Sequence, residues 1–184
     1  MTPLTREALV SEMASGRTFT FRPFYGHTAR ADGALSDACF SQWWPAEFEI
    51  GGVRYQTAEH FMMAEKARLF GDEQTLELIL AEADPSKVKA LGRKVTPFDG
   101  KRWEKRRFDA VTEGSIGKFS STEILLSYLL GTGDDIVVEA APRDTIWGIG
   151  LGRDNPRVHQ PDQWRGLNLL GFALIRARES LRAG

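Results

Sequence analysis

From Thr57 to Gly131 the chain is a succession of helical segments punctuated by caps and glycines, while strand-like segments fall only before and after that stretch. This segregation predicts an α+β fold, a single helix-rich domain with a small antiparallel sheet. Thr57 stands as a cap whose hydroxyl is placed to accept an early backbone N–H, and Ala58 to Phe70 continues in strong helix formers to Gly71. A second helix is expected over Glu73 to Ala81. Asp84-Pro85 supplies a cap and a first-position proline for a helix from Ser86 to Leu91, which Gly92 is placed to end. Lys101 to Phe119 carries Trp103, Phe108, Val111 and Ile116 as its apolar members, with Gly114 and Gly117 weakening its far end. Ser120 to Glu123 spells a capping box ahead of the apolar face of Ile124, Leu125, Tyr128 and Leu129.

Outside the helical stretch the period changes to two. Thr18 to Phe21 alternates before Pro23, and the residues ahead of it, 1–18, read as an N-terminal arm to a domain over 19–184. Residues 26–37 read as loop. Glu47 to Tyr55 holds two alternating segments around Gly51-Gly52, a pair suited to a tight hairpin turn with positive φ. Ile136 to Val138 is short and β-branched, and Ile146-Trp147 is a candidate for another strand. Residues 152–163 read as loop, and Leu167 to Leu181 closes the chain as an amphipathic helix.

Composition narrows the function classes. At 184 residues one domain with a sizeable core is expected, and 24 Lys plus Arg against 25 Asp plus Glu leave a formal charge of −1. Without a basic excess the chain is not built to grip a phosphate backbone generally, which leaves room only for a local basic cleft. Cys39 is the one cysteine, so neither an intramolecular disulfide nor a Cys-rich zinc site is available. The first residues lack the apolar core of a signal peptide, and no apolar run is long enough to cross a bilayer. A cytoplasmic protein with no membrane partner is expected.

Most familiar catalytic signatures are absent, and the three histidines lie far apart at positions 27, 60 and 159, so no metal is expected. Trp147-Gly148-Ile149-Gly150-Leu151-Gly152 looks like a dinucleotide turn only superficially, because Arg153-Asp154-Asn155-Pro156 follows where a helix is required. Glu59, in the first turn of the Thr57-capped helix, has a plain explanation as a complement to the helix dipole. Helical spacing also sets Met62, Met63 and Lys66 on adjoining faces, so the acid and the cation can share one partly apolar cleft. Of the five tryptophans, Trp147 is singled out: it lies between Asp144 and a flexible glycine run, where an indole can stack on a planar base and backbone N–H groups can approach phosphate. Asn168 reads first as a cap and second as a ligand donor, while Lys66 and Arg93 read as solvated charges or as phosphate contacts.

Taken in order, Gln42-Trp43-Trp44-Pro45, then Thr57-Ala58-Glu59-His60-Phe61 with Lys66, then Asp144 to Leu151, then Trp164-Arg165-Gly166-Leu167-Asn168-Leu169-Leu170-Gly171, resemble the YbiA-like or NADAR family. The resemblance spans Phe21 to Leu181 and rests on four separated blocks. It implies the YbiA-like α+β fold and an N-glycosidase activity on a ribosyl phosphate or ADP-ribosyl group, with phosphoribosylamino-pyrimidine intermediates of riboflavin synthesis or ADP-ribosylated nucleobases as substrates. By position it also implies catalytic or binding roles for Glu59, Lys66, Trp103, Trp147 and Asn168, and Gly148 beside Trp147 is a further substrate-binding candidate. One departure stands out: some members carry W-G-D-G where this chain has Trp147-Gly148-Ile149-Gly150, so Asp144 substitutes for that aspartate only if folding brings it to the same pocket.

Breaking a C–N glycosidic bond through an oxocarbenium-like transition state requires a carboxylate to stabilise positive charge or activate water, and Glu59 is the candidate. Trp147 or Trp103 would stack on the base, with Lys66, Arg93 and the glycine-run amides on the phosphate. No cofactor is called for, and nucleic acid enters only as an ADP-ribosylated substrate. The alternative is a non-catalytic module that senses ADP-ribose or an NAD-type nucleotide through the same pocket.

Overall fold

In the computed structural model, residues 2–184 are described and fold into seven α-helices and four short strands. The centre is built by α2 (Ala58–Phe70), α5 (Gly100–Ser120) and α7 (Leu169–Ala183), with α5 packed against both of the others. Residues 58–64 of α2 are all buried, Glu59 and His60 included, so its first two turns have no solvent face. This is a core helix and not an amphipathic surface one. Two shorter helices, α3 (Glu73–Ala81) and α4 (Pro85–Gly92), pack beside it, and α6 (Glu123–Leu130) lies against α5 and α7.

The glycines of α5 have a tertiary cause. A Cβ at Gly114 would sit 2.8 Å from the Phe61 ring of α2, and one at Gly117 would sit 2.8 Å from both Ile50 and Phe48. Low helix propensity is accepted there because neighbours approach the α5 backbone directly. Gly117→Ala is therefore expected to destabilise: overpacking outweighs the propensity gain by about 1–2 kcal/mol, roughly 2–8 °C in melting temperature. Calorimetry showing an unchanged or higher transition would mean the hairpin does not press on α5.

That hairpin joins β2 (Phe48–Ile50) to β3 (Val53–Tyr55), with Phe48 opposite Tyr55. Gly51 and Gly52 both take positive φ, 61° and 76°, the turn whose twist matches the strands it connects. The antiparallel sheet is this hairpin alone. A second pair, β1 (Phe21–Phe24) with β4 (Ile136–Glu139), is parallel and joins segments from opposite ends of the chain. The strand expected at Thr18 to Phe21 is displaced toward the C-terminus and includes Pro23. The Thr20 and Phe24 carbonyls accept the Ile136 and Ala140 amides at 2.8 Å and 2.8 Å, and Pro23, on the other parity of a strand with one partner, owes the ladder no N–H. Ile136, Val137 and Val138 are fully buried, with α7 packed over them.

Three local expectations resolve differently. The Thr57 hydroxyl does not cap α2; it lies 2.8 Å from His60 Nδ1, while His60 Nε2 reaches the Glu82 carbonyl at 2.8 Å. A carbonyl only accepts, so Nε2 carries the proton and Nδ1 of the neutral ring accepts from Thr57. Burial, which pushes the His60 pKa down, favours the same neutral form. Thr122 and not Ser120 caps α6, accepting from the Leu125 amide at 3.3 Å, because the Ser120 hydroxyl bonds back to the Ile116 carbonyl of its own helix. Ile146-Trp147 lies in a turn and not a strand, since the Asp144 carboxylate takes both of their amides.

The first residues carry α1 (Arg6–Ala14), capped by Thr5, whose Leu9 is fully buried. Arg6 ties it to the 3-10 turn at Pro161–Gln163 by donating to the Pro161 and Asp162 carbonyls at 2.9 Å and 3.1 Å. Lys118, fully buried on α5, donates to the Cys39 and Ser41 carbonyls at 2.6 Å and 2.7 Å and so anchors the segment leading into Gln42 and Trp43. Burial drives the Lys118 pKa down to about 7 and that of the enclosed Cys39 thiol up to about 12. A thiol so disfavoured as thiolate is no nucleophile.

Candidate active site

A cavity of about 510 Å³ opens between α2, α4, the Tyr25–His27 segment, the Ser41–Trp43 turn and the loop that follows β4. That volume suits a small molecule. The α2 face that the spacing assigned to one cleft is there: Glu59, Met62, Met63 and Lys66 all line it. From α4 and its end come Lys89, Gly92 and Arg93, and from the end of β4 onward come Glu139, Arg143, Asp144 and Trp147.

Glu59 is 2% exposed, and its Oε1 has no hydrogen-bond partner. Its backbone N–H bonds the Gln42 carbonyl at 3.0 Å, so the Gln42 turn supplies a cap to α2 that Thr57 does not. Burial raises the Glu59 pKa to about 7 against the opposing pull of Lys89, Trp43 and Arg93, with Asp144 adding to the rise. Glu139 is a second carboxyl in the cavity, half-buried as a residue but with its Oε2 buried and unpartnered, and desolvation, Asp144 and Glu59 push it up to about 8 while Lys89 opposes. Sequence reading missed it, because a glutamate ending a short β-branched strand reads as solvated and only the loop folded over β4 encloses it.

Asp144 reaches the cavity, and its Oδ1 is held by the Ile146 and Trp147 amides at 2.9 Å and 2.8 Å. Ile149, at the position of the aspartate in W-G-D-G, is fully buried in the core and does not line the cavity. Lys66 donates to the Gly92 carbonyl at 2.6 Å and lies 4.4 Å from the Phe98 ring centre, so it pins α4 to α2 while still lining the site. Lys66, Lys89, Arg93 and Arg143 form no salt bridge among the described residues. Trp43 joins the site from the other wall, with His27 at 5.4 Å and Lys89 at 5.7 Å from its ring.

Three expected ligands stand elsewhere. Trp103, near the start of α5, packs partly buried against the core and does not line the cavity. Gly148 is buried because the loop closes on it: a Cβ would sit 2.8 Å from the Glu139 carbonyl oxygen and 2.9 Å from Ala141. Asn168 is fully buried in the left-handed region at φ 57°; its amide accepts from the Glu139 N–H and donates to the Val137 carbonyl, both at 2.9 Å. It neither caps α7 with its side chain nor reaches the cavity. Within the glycine run, the Ile149 and Gly150 amides are taken by the Glu139 and Asp144 carbonyls at 2.9 Å and 3.0 Å. Those amides are unavailable to phosphate.

Residues 24–182 match the NADAR domain. The chain is 43% identical over 145 residues to N-glycosidase R617 of Acanthamoeba polyphaga mimivirus, covering 76% of this chain and 85% of that protein. It is 32% identical over 144 residues to N-glycosidase Npun_R5314 of Nostoc punctiforme, covering 78% and 85%. Its fold matches the NMR structure of the E. coli protein YbiA with a TM-score of 0.66 at 22% identity, over 99% of this chain and 94% of the other. An α+β domain with a carboxyl-lined cavity and relatives of this kind is an enzyme of the N-glycosidase class. The chain belongs to the NADAR family.

Proposed function

We propose that this protein hydrolyses the C–N bond between C1′ of a phosphorylated ribosyl group and a planar base or amine, its substrate a phosphoribosylamino-pyrimidine of riboflavin synthesis or an ADP-ribosylated nucleobase. The observation that carries the reading is Glu59: a buried carboxyl with a free oxygen, in a cavity whose other charged lining includes cations without ionic partners. Glu59 stabilises the oxocarbenium-like charge and activates water, and Asp144, held by two amides, adds negative charge beside it. Trp147 provides a face for the base, while Arg93, Lys89 and Lys66 take the phosphate. A cytoplasmic setting accords with the lone, buried Cys39, and no helix of the described residues is long and apolar enough to cross a membrane.

The test is chromatography after incubation with riboflavin-pathway phosphoribosylamines, NAD, ADP-ribose and ADP-ribosylated guanosine. Free base together with free sugar phosphate, or with free ADP-ribose, is the expected result. Saturable binding with every compound recovered intact would overturn hydrolysis in favour of a sensing module. Arg93→Ala is expected to raise KM about tenfold or more with little change in kcat, the loss of a charge-assisted contact made equally in ground and transition states. Steady-state kinetics on the turned-over compound checks this, and a fall confined to kcat would remove Arg93 from the phosphate site.

A further inference from the structure

We propose that Glu139 is the general acid that protonates the departing nitrogen, an inference that rests on the hydrolase reading above. Glu139 lines the same cavity as Glu59 and Asp144, and its Oε2 is buried without a partner in the protein. Its backbone is fixed on three sides: the N–H by Asn168 Oδ1 at 2.9 Å, and the carbonyl by the Ala141 and Ile149 amides at 2.9 Å and 2.9 Å. The side chain therefore leaves from a backbone fixed at the end of a core strand, and among the described residues no salt bridge neutralises its carboxylate.

The reaction needs two carboxyls in opposite states, one giving a proton and one taking it. As the C1′–N bond breaks, its electron pair passes to the nitrogen, which takes the Glu139 proton. Water adds its oxygen to C1′ and yields a proton to the Glu59 carboxylate; solvent exchange returns that proton to Glu139, so base and sugar leave with one water added. The groups acting on Glu139 are Asp144 from the loop after β4, Glu59 from α2 and Lys89 from α4. Tyr25, His27, Lys66, Arg93 and Arg143 are the remaining titratable groups lining the cavity. Desolvation, with Asp144 and Glu59 beside it, raises the Glu139 carboxyl to about 8, which favours its protonated form for the acid role.

Wild type and Glu139→Gln are compared on two kinds of N-ribosyl phosphate. The first is the phosphoribosylamino-pyrimidine or ADP-ribosylated guanosine, whichever turns over, and its nitrogen must be protonated to leave. The second is nicotinamide mononucleotide, whose cationic base departs without a proton. Glu139→Gln is expected to lose about 100-fold or more in kcat on the first and under about threefold on the second. The alkaline fall of kcat/KM near pH 8 in wild type is expected to vanish from the variant's residual activity. Glu139→Asp should recover part of the rate. Equal losses on both compounds, undiminished activity, or a retained alkaline limb would overturn the assignment; if wild type leaves nicotinamide mononucleotide intact, the pH profile alone decides. Wild type cleaving none of these compounds would overturn the hydrolase reading itself, a result distinct from one in which wild type turns over and Glu139→Gln matches it.

Discussion

Glu59→Gln is expected to abolish hydrolysis while yielding a protein that is folded and more stable than wild type at pH 8. Removing a group that acts directly in the transition state costs about 10²- to 10⁴-fold in rate. The stability gain follows from proton linkage. Burial raises the Glu59 carboxyl from 4.5 to about 7, so between those values the unfolded chain sheds its proton first and stability falls as pH rises. Below pH 4.5 both states hold the proton and no penalty exists; above about pH 7 the folded protein carries the full cost, on the order of 3 kcal/mol. Glutamine matches the shape without the charge, so the variant should melt roughly 5 °C or more above wild type at pH 8, with the gap closing toward pH 4. Product chromatography and calorimetry at both pH values check the two halves. Turnover within tenfold of wild type, or a lower melting temperature at pH 8, would remove Glu59 from its role.

Asn168→Ala is expected to be strongly destabilising. Its amide bridges the Glu139 N–H and the Val137 carbonyl, both at 2.9 Å, and it holds φ 57° at the entrance to α7. Alanine leaves two buried backbone groups unpaired at about 1–3 kcal/mol each and forces a Cβ residue without local hydrogen bonds into the left-handed region for about 1 kcal/mol more. Urea or thermal unfolding should show a loss of about 3–5 kcal/mol, roughly 10 °C or more. Gly171→Ala should do comparable harm, because a Cβ there would lie 2.1 Å from the Val137 carbonyl oxygen and 2.5 Å from the Asn168 amide nitrogen. An Asn168→Ala protein that keeps its stability and loses only substrate affinity would make Asn168 a ligand after all.

These two residues show what kind of information each part of the chain carries. Glu59 is legible as a site candidate because the signal is local: one helix sets Glu59, Met62, Met63 and Lys66 on adjoining faces, and all four line the cavity. Asn168 is legible as special, since the Trp164-to-Gly171 block draws attention to it. Its job is set by contacts with β4 about thirty residues earlier, so the expectation of a cap or a ligand gives way to a bridge. Glu139 has no local signal at all, and Trp103 has the right chemistry in a helix that does not reach the cavity.

Local signals suffice for the helical succession, the Gly51-Gly52 hairpin, the Asp84 cap that opens a short helix, and the family, because capping, turn geometry and ordered motif blocks act over a few residues. Long-range packing is what pairs β1 in parallel with β4, makes Gly114 and Gly117 packing surfaces, and takes up the Ile149 and Gly150 amides within the Asp144-to-Gly152 loop. It also decided which carboxyls are buried together. The difference is one of range: propensity and periodicity report the nearest turn of chain, whereas desolvation of Glu59 and Glu139 arises from atoms far away in sequence, and desolvation is what tunes an acid for catalysis.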